Sequence, residues 1–135
     1  MASHARVVGS VFNKTIAGAT TDVFDTDITP AAIHSNGLAA NAVGDLGIAY
    51  RLTISLDTAV KVVLNLTCSD TTIEMPFNSD VALVVNAIYT FSFSVPPRAV
   101  EAAETSASAT SINLQLSAGA VVNMAILEEV YGAVL

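Results

Sequence analysis

Three carboxylates lie close together near the start of the sequence, at Asp22, Asp25 and Asp27. If this segment is a strand, Asp25 and Asp27 share a face, because side chains alternate along a strand. With loop carbonyls they would supply the oxygen ligands that Ca²⁺ prefers. The sequence has no D-x-D-x-D-G loop, and a solvated acidic face is the alternative interpretation. Asp25 and Asp27 are thus the one candidate metal site, for calcium.

Other residues that commonly carry catalysis are sparse. His4 and His34 form no H-x-H pair of the kind a cupin-type metal site uses, and no G-x-S-x-G nucleophile motif occurs. Cys68 is the single cysteine and lies in a strand pattern, so we expect a small buried hydrophobe. Of Glu128 and Glu129, we expect one to be exposed and one partnered. We therefore predict a protein that is not an enzyme and has no catalytic residues and no cofactor.

Composition limits the classes of partner. The 135 residues suit one domain, 53% of them are hydrophobic, and only 13% are charged. The net charge of −7 would repel a phosphate backbone, so we expect no nucleic-acid partner. The charge-free stretch 105–127 contains many Ser, Thr, Asn and Gln residues, which are too costly in a lipid-spanning helix. We therefore also expect no membrane partner.

Apolar and polar residues alternate with a period of two in segments 48–56, 60–68 and 88–95, which predicts strands. Further strands are predicted at 6–16, 20–28, 71–77, 111–117 and 120–130. They predict an all-β fold, an antiparallel two-sheet sandwich of about eight strands, jelly-roll-like, in a single domain over 1–135. An immunoglobulin-type sandwich is the alternative, but the paired cysteines and core tryptophan of that fold are missing.

Two local features carry more detailed expectations. The turn at Asp57-Thr58 predicts that segments 48–56 and 60–68 form a β-hairpin. Asn78-Ser79-Asp80 predicts the cap of a single helical turn through Val81–Val85.

Both ends of the chain are apolar, although termini normally fray unless something holds them. With so few charges on the surface, this predicts that residues 1–12 and 131–135 are arms that dock on neighbouring subunits. The alternative is that both ends are ordinary edge strands of the domain. The predicted assembly contacts are Val7, Val8, Val11, Phe12, Tyr131, Val134 and Leu135.

Three stretches, Leu83–Val95, Ile112–Ala120 and Val122–Val130, form a distinctive series. An aromatic strand is followed by a break, an I-N-hydrophobic strand, a small turn and a long last strand. Over residues 47–130 this arrangement resembles the small jelly-roll structural proteins of tailed bacteriophages, including capsid decoration (cement) proteins. The sequence departs from that pattern at Arg98–Thr110, and residues 1–46 have no counterpart in it.

The resemblance implies a non-enzymatic virion component, a homo-oligomer that is often a trimer and that binds the major capsid protein to stabilise the shell. Residues Met1–Gly9 contain no basic region followed by a long apolar run, so we expect no secretory signal and synthesis in the host cytoplasm. Location in the virion is what the resemblance implies. One alternative is a subunit of a helical filament or phage tail tube that exchanges a terminal strand. Another is a carbohydrate-binding β-sandwich module, against which the absence of tryptophan counts.

Overall fold

Within the described residues, the regular secondary structure is almost entirely β. A computed structural model describes residues 4–29, 48–68, 72–95 and 109–131. The strands in these ranges are β1 (His4–Ile16), β2 (Ile48–Leu56), β3 (Val62–Cys68), β4 (Thr72–Pro76), β5 (Tyr89–Val95), β6 (Ala109–Leu116) and β7 (Ala120–Tyr131). The described part has no helix with the length and apolarity that crossing a membrane requires.

The strands form two antiparallel sheets. One has four strands in the order β1-β7-β2-β5, and the other has three in the order β4-β3-β6. Segment 22–28 runs beside β6, to which antiparallel bridges join Asp22 and Ile28. The strand predicted over 20–28 is thus not continuous, but the two bridges place this segment beside β6 at the edge of the three-stranded sheet. The predicted all-β two-sheet sandwich is confirmed.

The order in which the chain visits the two sheets is that of a jelly roll. It leaves β1 in the four-stranded sheet, passes through segment 22–28 in the other, and returns for β2. Strands β3 and β4 are consecutive in the three-stranded sheet, and β5, β6 and β7 then alternate between the sheets. Neighbours in the sheets are therefore mostly distant in sequence.

The predicted hairpin of segments 48–56 and 60–68 is wrong. β2 pairs with β5 and β7, whereas β3 pairs with β4 and β6 in the opposite sheet. The turn after β2 crosses the end of the sandwich, where Asp57 binds the backbone of Val121 through both its N–H and its carboxylate. An apolar face on each segment fits both arrangements, because both sheets turn one face to the same core.

The core lies between the sheets and is filled by one parity of each strand. Its largest fully buried apolar side chains are Tyr50, Leu52, Ile54 and Leu56 of β2, Leu64 of β3, Ile112, Leu114 and Leu116 of β6, Leu127 of β7, Ile16 and Leu83. On β5, the rings of Tyr89, Phe91 and Phe93 pack against this core, and Thr90, Ser92 and Ser94 face outward. The alternation predicted for β5 is thus confirmed.

A bulge in β7 changes which of its residues face inward. Ser55 of β2 pairs with Met124, but the next residue, Leu56, pairs with Val122, so Asn123 is the extra residue. Ala120 and Val122 are buried before the bulge, and Ala125, Leu127 and Glu129 are buried after it. The bulge therefore turns Glu129 into the sandwich and Glu128 out of it.

The predicted helical turn at Val81–Val85 is absent. A short 3-10 turn covers Asn78–Asp80 instead, and all three of its residues have left-handed φ values of 57°, 55° and 62°. Val81 is already extended, with φ −114° and ψ 140°. The buried side chain of Leu83 and its N–H bond to Val60 O hold the following segment across the end of the sandwich, which prevents it from coiling.

Candidate interaction surfaces

Asp25 and Asp27, the calcium candidates, have different protein partners. The Lys14 ammonium lies 2.6 Å from Asp25 Oδ1 and also donates to the carbonyl of Val23. Asp27 Oδ1 accepts from Asn113 Nδ2 at 2.7 Å. In the described ranges no three His, Cys, Asp or Glu side chains come together in a group able to hold a metal ion. The two carboxylates serve here to attach segment 22–28 to β1 and β6.

Asn113 is the centre of this attachment. Its buried amide accepts from Phe24 N at 3.0 Å and from Leu114 N at 2.8 Å, and it donates to Phe24 O and to Asp27. It belongs to the outward-facing parity of β6, which predicts exposure, but segment 22–28 covers it. No local pattern signals this role, because the covering residues lie about ninety positions away in sequence.

Both glutamates near the end of β7 are partnered. Glu129 is fully buried and accepts from Tyr50 Oη at 3.0 Å and from Arg6 at 2.8 Å. Glu128 faces outward and forms an ion pair with Arg51 at 3.0 Å. That pair raises the pKa of Arg51, chiefly through the hydrogen bond from its guanidinium. The expectation of one exposed and one partnered carboxylate is therefore corrected: Glu128 is half-buried and paired.

The remaining sequence candidates fall on or beyond the edges of the described ranges. His4 begins β1 opposite Tyr131, and Cys68 ends β3. For His4, Cys68 and Tyr131 the structure describes the backbone but not the side chain, and His34 lies outside the described residues.

The predicted arm contacts divide into three groups, apart from Tyr131, whose backbone pairs with His4 and whose side chain lies outside the described part. Residues 4–12 belong to β1, which is paired with β7 of the same domain. Val11 is buried in the core and Val8 packs against it, whereas Val7 and Phe12 are 55% and 59% exposed. Val134 and Leu135 lie outside the described residues.

Val7 and Phe12 belong to the outer surface of the four-stranded sheet, which we call the sheet face. It consists of Ala5, Val7, Ser10 and Phe12 of β1, Met124, Ile126, Glu128 and Val130 of β7, Ala49, Arg51 and Thr53 of β2, and Thr90, Ser92 and Ser94 of β5. Its charged members are Arg51 and Glu128, which neutralise one another. Apart from this ion pair, the sheet face consists of apolar, small and hydroxyl side chains, and it carries no net charge.

The outer surface of the three-stranded sheet has a different character. Its rows combine Thr67 with Thr72 and Ser111, and Asn65 with Glu74 and Asn113. A third row places Val63 between Pro76 and Gln115. Amide and hydroxyl groups dominate this surface, so of the two outer surfaces the sheet face is the more apolar.

A second apolar surface lies at one end of the sandwich, in residues 81–88, which we call the apolar loop. Val81, Val84, Val85 and Ile88 are 57%, 63%, 46% and 69% exposed. The loop is anchored by the buried Leu83 and by hydrogen bonds from Asn86 N to Leu56 O and from Val84 N to Tyr89 Oη. Asn123 Nδ2 also donates to Asn86 Oδ1. Four apolar side chains are therefore displayed on a well-bonded backbone.

Concave sites in the described region are shallow. One depression of about 260 Å³ lies on the sheet face around Arg51, Phe93 and Val130. Another, of about 470 Å³, lies along β1 beside Asp25 and is lined mainly by residues 10–14. The first is smaller than the roughly 300–1,000 Å³ typical of ligand pockets, and the second is an edge groove. Both are open depressions on the protein surface rather than enclosed cavities.

The chain matches no model of a protein family, and it matches no curated protein sequence.

Proposed function

We propose that the chain is a non-enzymatic structural protein of a virus particle, a capsid decoration protein that binds and stabilises the shell. The observation that carries this proposal is the apolar loop, an exposed hydrophobic surface on a protein whose described charged side chains mostly pair within its own fold. The jelly-roll architecture and the sequence pattern over residues 47–130 support the virion assignment.

The apolar loop is suited to binding because its shape is already fixed. Exposed apolar side chains on an ordered backbone lose less entropy on binding than a loop that must first be ordered. Three of the four are valines and the fourth is isoleucine, and β-branched side chains have few rotamers to lose. Hydrogen bonds from the backbone N–H groups of Leu83, Val84 and Asn86 hold the loop that carries these side chains in place.

The size of the loop indicates a repeated partner. Its four side chains expose on the order of 400 Å² of apolar surface, whereas a stable interface buries about 800 Å² on each partner. One loop on one site would therefore bind weakly. Copies joined to one another and bound to a lattice of identical sites gain affinity through multivalency, as on a capsid.

The test uses particles of the virus that encodes this protein, prepared with the protein and without it. We expect the purified protein to co-sediment with particles that lack it and to saturate them at a fixed copy number. The double variant Val84→Asp/Ile88→Asp should lose most of this binding, because burying two carboxylates in an apolar contact is costly. Thr72→Asp, on an exposed edge of the other sheet, is the matched control and should bind normally.

Absence of the chain from particles, or unchanged binding by the double variant, would overturn the proposal. Circular dichroism and thermal melting of each variant separate loss of binding from loss of fold.

Exchange of a terminal strand in a filament or tail tube is the second candidate, and one observation bears on it. β1 is a 13-residue edge strand, but a bulge between Val7 and Gly9 and a left-handed Asn13 interrupt it, and Lys14 lies beside them. Bulges and lysines are devices that protect edges from adding strands. The decoration role is therefore the better supported.

A further inference from the structure

We infer that the sheet face is the contact surface of a homodimer, packed against the same face of a second copy around a two-fold axis that runs along the strands between β7 and β2. This inference does not depend on the virion role. The two halves of the sheet face differ in the size of their side chains. The β1 and β7 half carries Val7, Phe12, Met124, Ile126 and Val130, whereas the β2 and β5 half carries Ala49, Thr53, Thr90, Ser92 and Ser94.

Large side chains on one half and small ones on the other make the face complementary to itself. The two-fold rotation exchanges β7 with β2, and β1 with β5, between the copies. It therefore lays the large half of each copy over the small half of the other. Two-fold contacts use the same patch on both subunits, as this arrangement requires. The strands of the two copies remain aligned, which is a usual geometry for sheets that pack face to face.

The ion pair on the face obeys the same symmetry. Arg51 and Glu128 are directly opposite one another on adjacent strands, one on each side of the proposed axis. Rotation places Arg51 of one copy over Glu128 of the partner subunit, and the reverse. Their side chains are 42% and 21% exposed, so each retains surface for a second partner. The two arginines and two glutamates of the dimer would then alternate around the centre of the contact.

The available area fits a stable dimer. With strands about 4.8 Å apart and about 3.4 Å per residue, four strands of some ten residues span roughly 650 Å². This is near the 800 Å² or so that each partner gives to a standard interface. The face is also neutral in a chain of net charge −7, so two copies meet here without the repulsion that other orientations bring.

Sedimentation of the purified protein tests this inference. We expect the wild type to have twice the mass of the 13.9 kDa chain from micromolar to millimolar concentration. Thr53→Lys places a charge under Ile126 of the partner subunit and should raise the dimer Kd at least about tenfold. Val63→Lys is the matched control, since Val63 is also half-buried on the outer side of a central strand, in the other sheet. It should leave the mass unchanged.

Charge reversal tests the register. Arg51→Glu gives a face with two carboxylates and Glu128→Arg a face with two guanidiniums, so each variant alone should be monomeric. An equimolar mixture should form a heterodimer, because the two-fold rotation sets the introduced carboxylate of one variant over the introduced guanidinium of the other. A pair that acts only within one chain would not produce this rescue.

A monomeric wild type, a trimeric mass, or a mixture that stays monomeric would overturn the inference. Each of these measurements is made on the purified chain without virus particles. A failed dimer therefore leaves the shell-binding result standing, and a failed shell-binding result leaves the dimer standing.

Discussion

The side chain of Asn113 forms with the backbone of Phe24 the pair of hydrogen bonds that a neighbouring strand would form. Its Oδ1 accepts from Phe24 N and its Nδ2 donates to Phe24 O, both at 3.0 Å. Segment 22–28 is bridged to β6 at its two ends, and the amide of Asn113 satisfies the backbone between them. One side chain thereby completes the second sheet.

Replacing this side chain should be costly. Asn113→Ala removes the partners of Phe24 N and Phe24 O in a buried site, and each such orphaned group costs about 1–3 kcal/mol. We expect the free energy of unfolding, measured by urea denaturation, to fall by about 3 kcal/mol. Gln115→Ala is the control, because Gln115 donates only to exposed groups at Thr20 and Asp22. A loss at Asn113 no larger than at Gln115 would contradict this role.

Gly9 of β1 packs closely against two buried side chains of segment 22–28. A Cβ built on Gly9 would lie 2.9 Å from Ile28 Cδ1 and 3.1 Å from the ring of Phe24, both buried. Gly9→Ala should therefore destabilise the protein by about 1–3 kcal/mol through overpacking. At Gly18 a Cβ would meet nothing within 4 Å, so Gly18→Ala is the matched control. Thermal melting of both variants compares them, and equal melting temperatures would refute the close packing.

Asp57 makes the stability of the sandwich depend on pH. Its pKa is lowered below 3.8, first by the hydrogen bond from the backbone N–H of Val121 and then by the one from the Thr58 hydroxyl. Folding therefore favours the ionised form. The stabilisation is fully present above the unfolded pKa and is lost as pH falls through the lower folded pKa.

The variant Asp57→Asn should thus be less stable than the wild type at pH 7, and the difference should vanish in strong acid. Urea unfolding of both proteins from about pH 7 down to about pH 2 measures it, over the window set by the ordinary carboxyl pKa. A difference that does not change with pH would show that the charge of Asp57 is unimportant.

Strands could be located from the sequence because burial on one face leaves a period-two pattern. The alternation of Tyr89, Phe91 and Phe93 with Thr90, Ser92 and Ser94 gives the inner and outer faces of β5 directly. Which strands pair with one another produces no comparable pattern in the sequence. The residues of β2 and β3 are buried in one core whether they form a hairpin or face each other across it, so the period could not distinguish the two arrangements.

The surfaces were harder to predict than the strands. Phe12 and Val7 attract notice as apolar residues near an end of the chain, but the sheet face that contains them combines four strands from across the sequence. The apolar loop has the composition of a core segment, and its exposure follows from the left-handed turn at 78–80 and from Leu83 being the one buried side chain in 81–88. Both depend on tertiary structure, which a local pattern does not record.

The position of β7 between β1 and β2 has a consequence for how the protein is made. The four-stranded sheet cannot close until β7, the last described strand, has left the ribosome, because β7 is the neighbour of both earlier strands. Sheets built from contacts so distant in sequence fold slowly, and a growing chain with open strand edges and few charges is prone to aggregate. We expect this sheet to form only once β7 has been synthesised, with the yield of folded protein governed by temperature and chaperones.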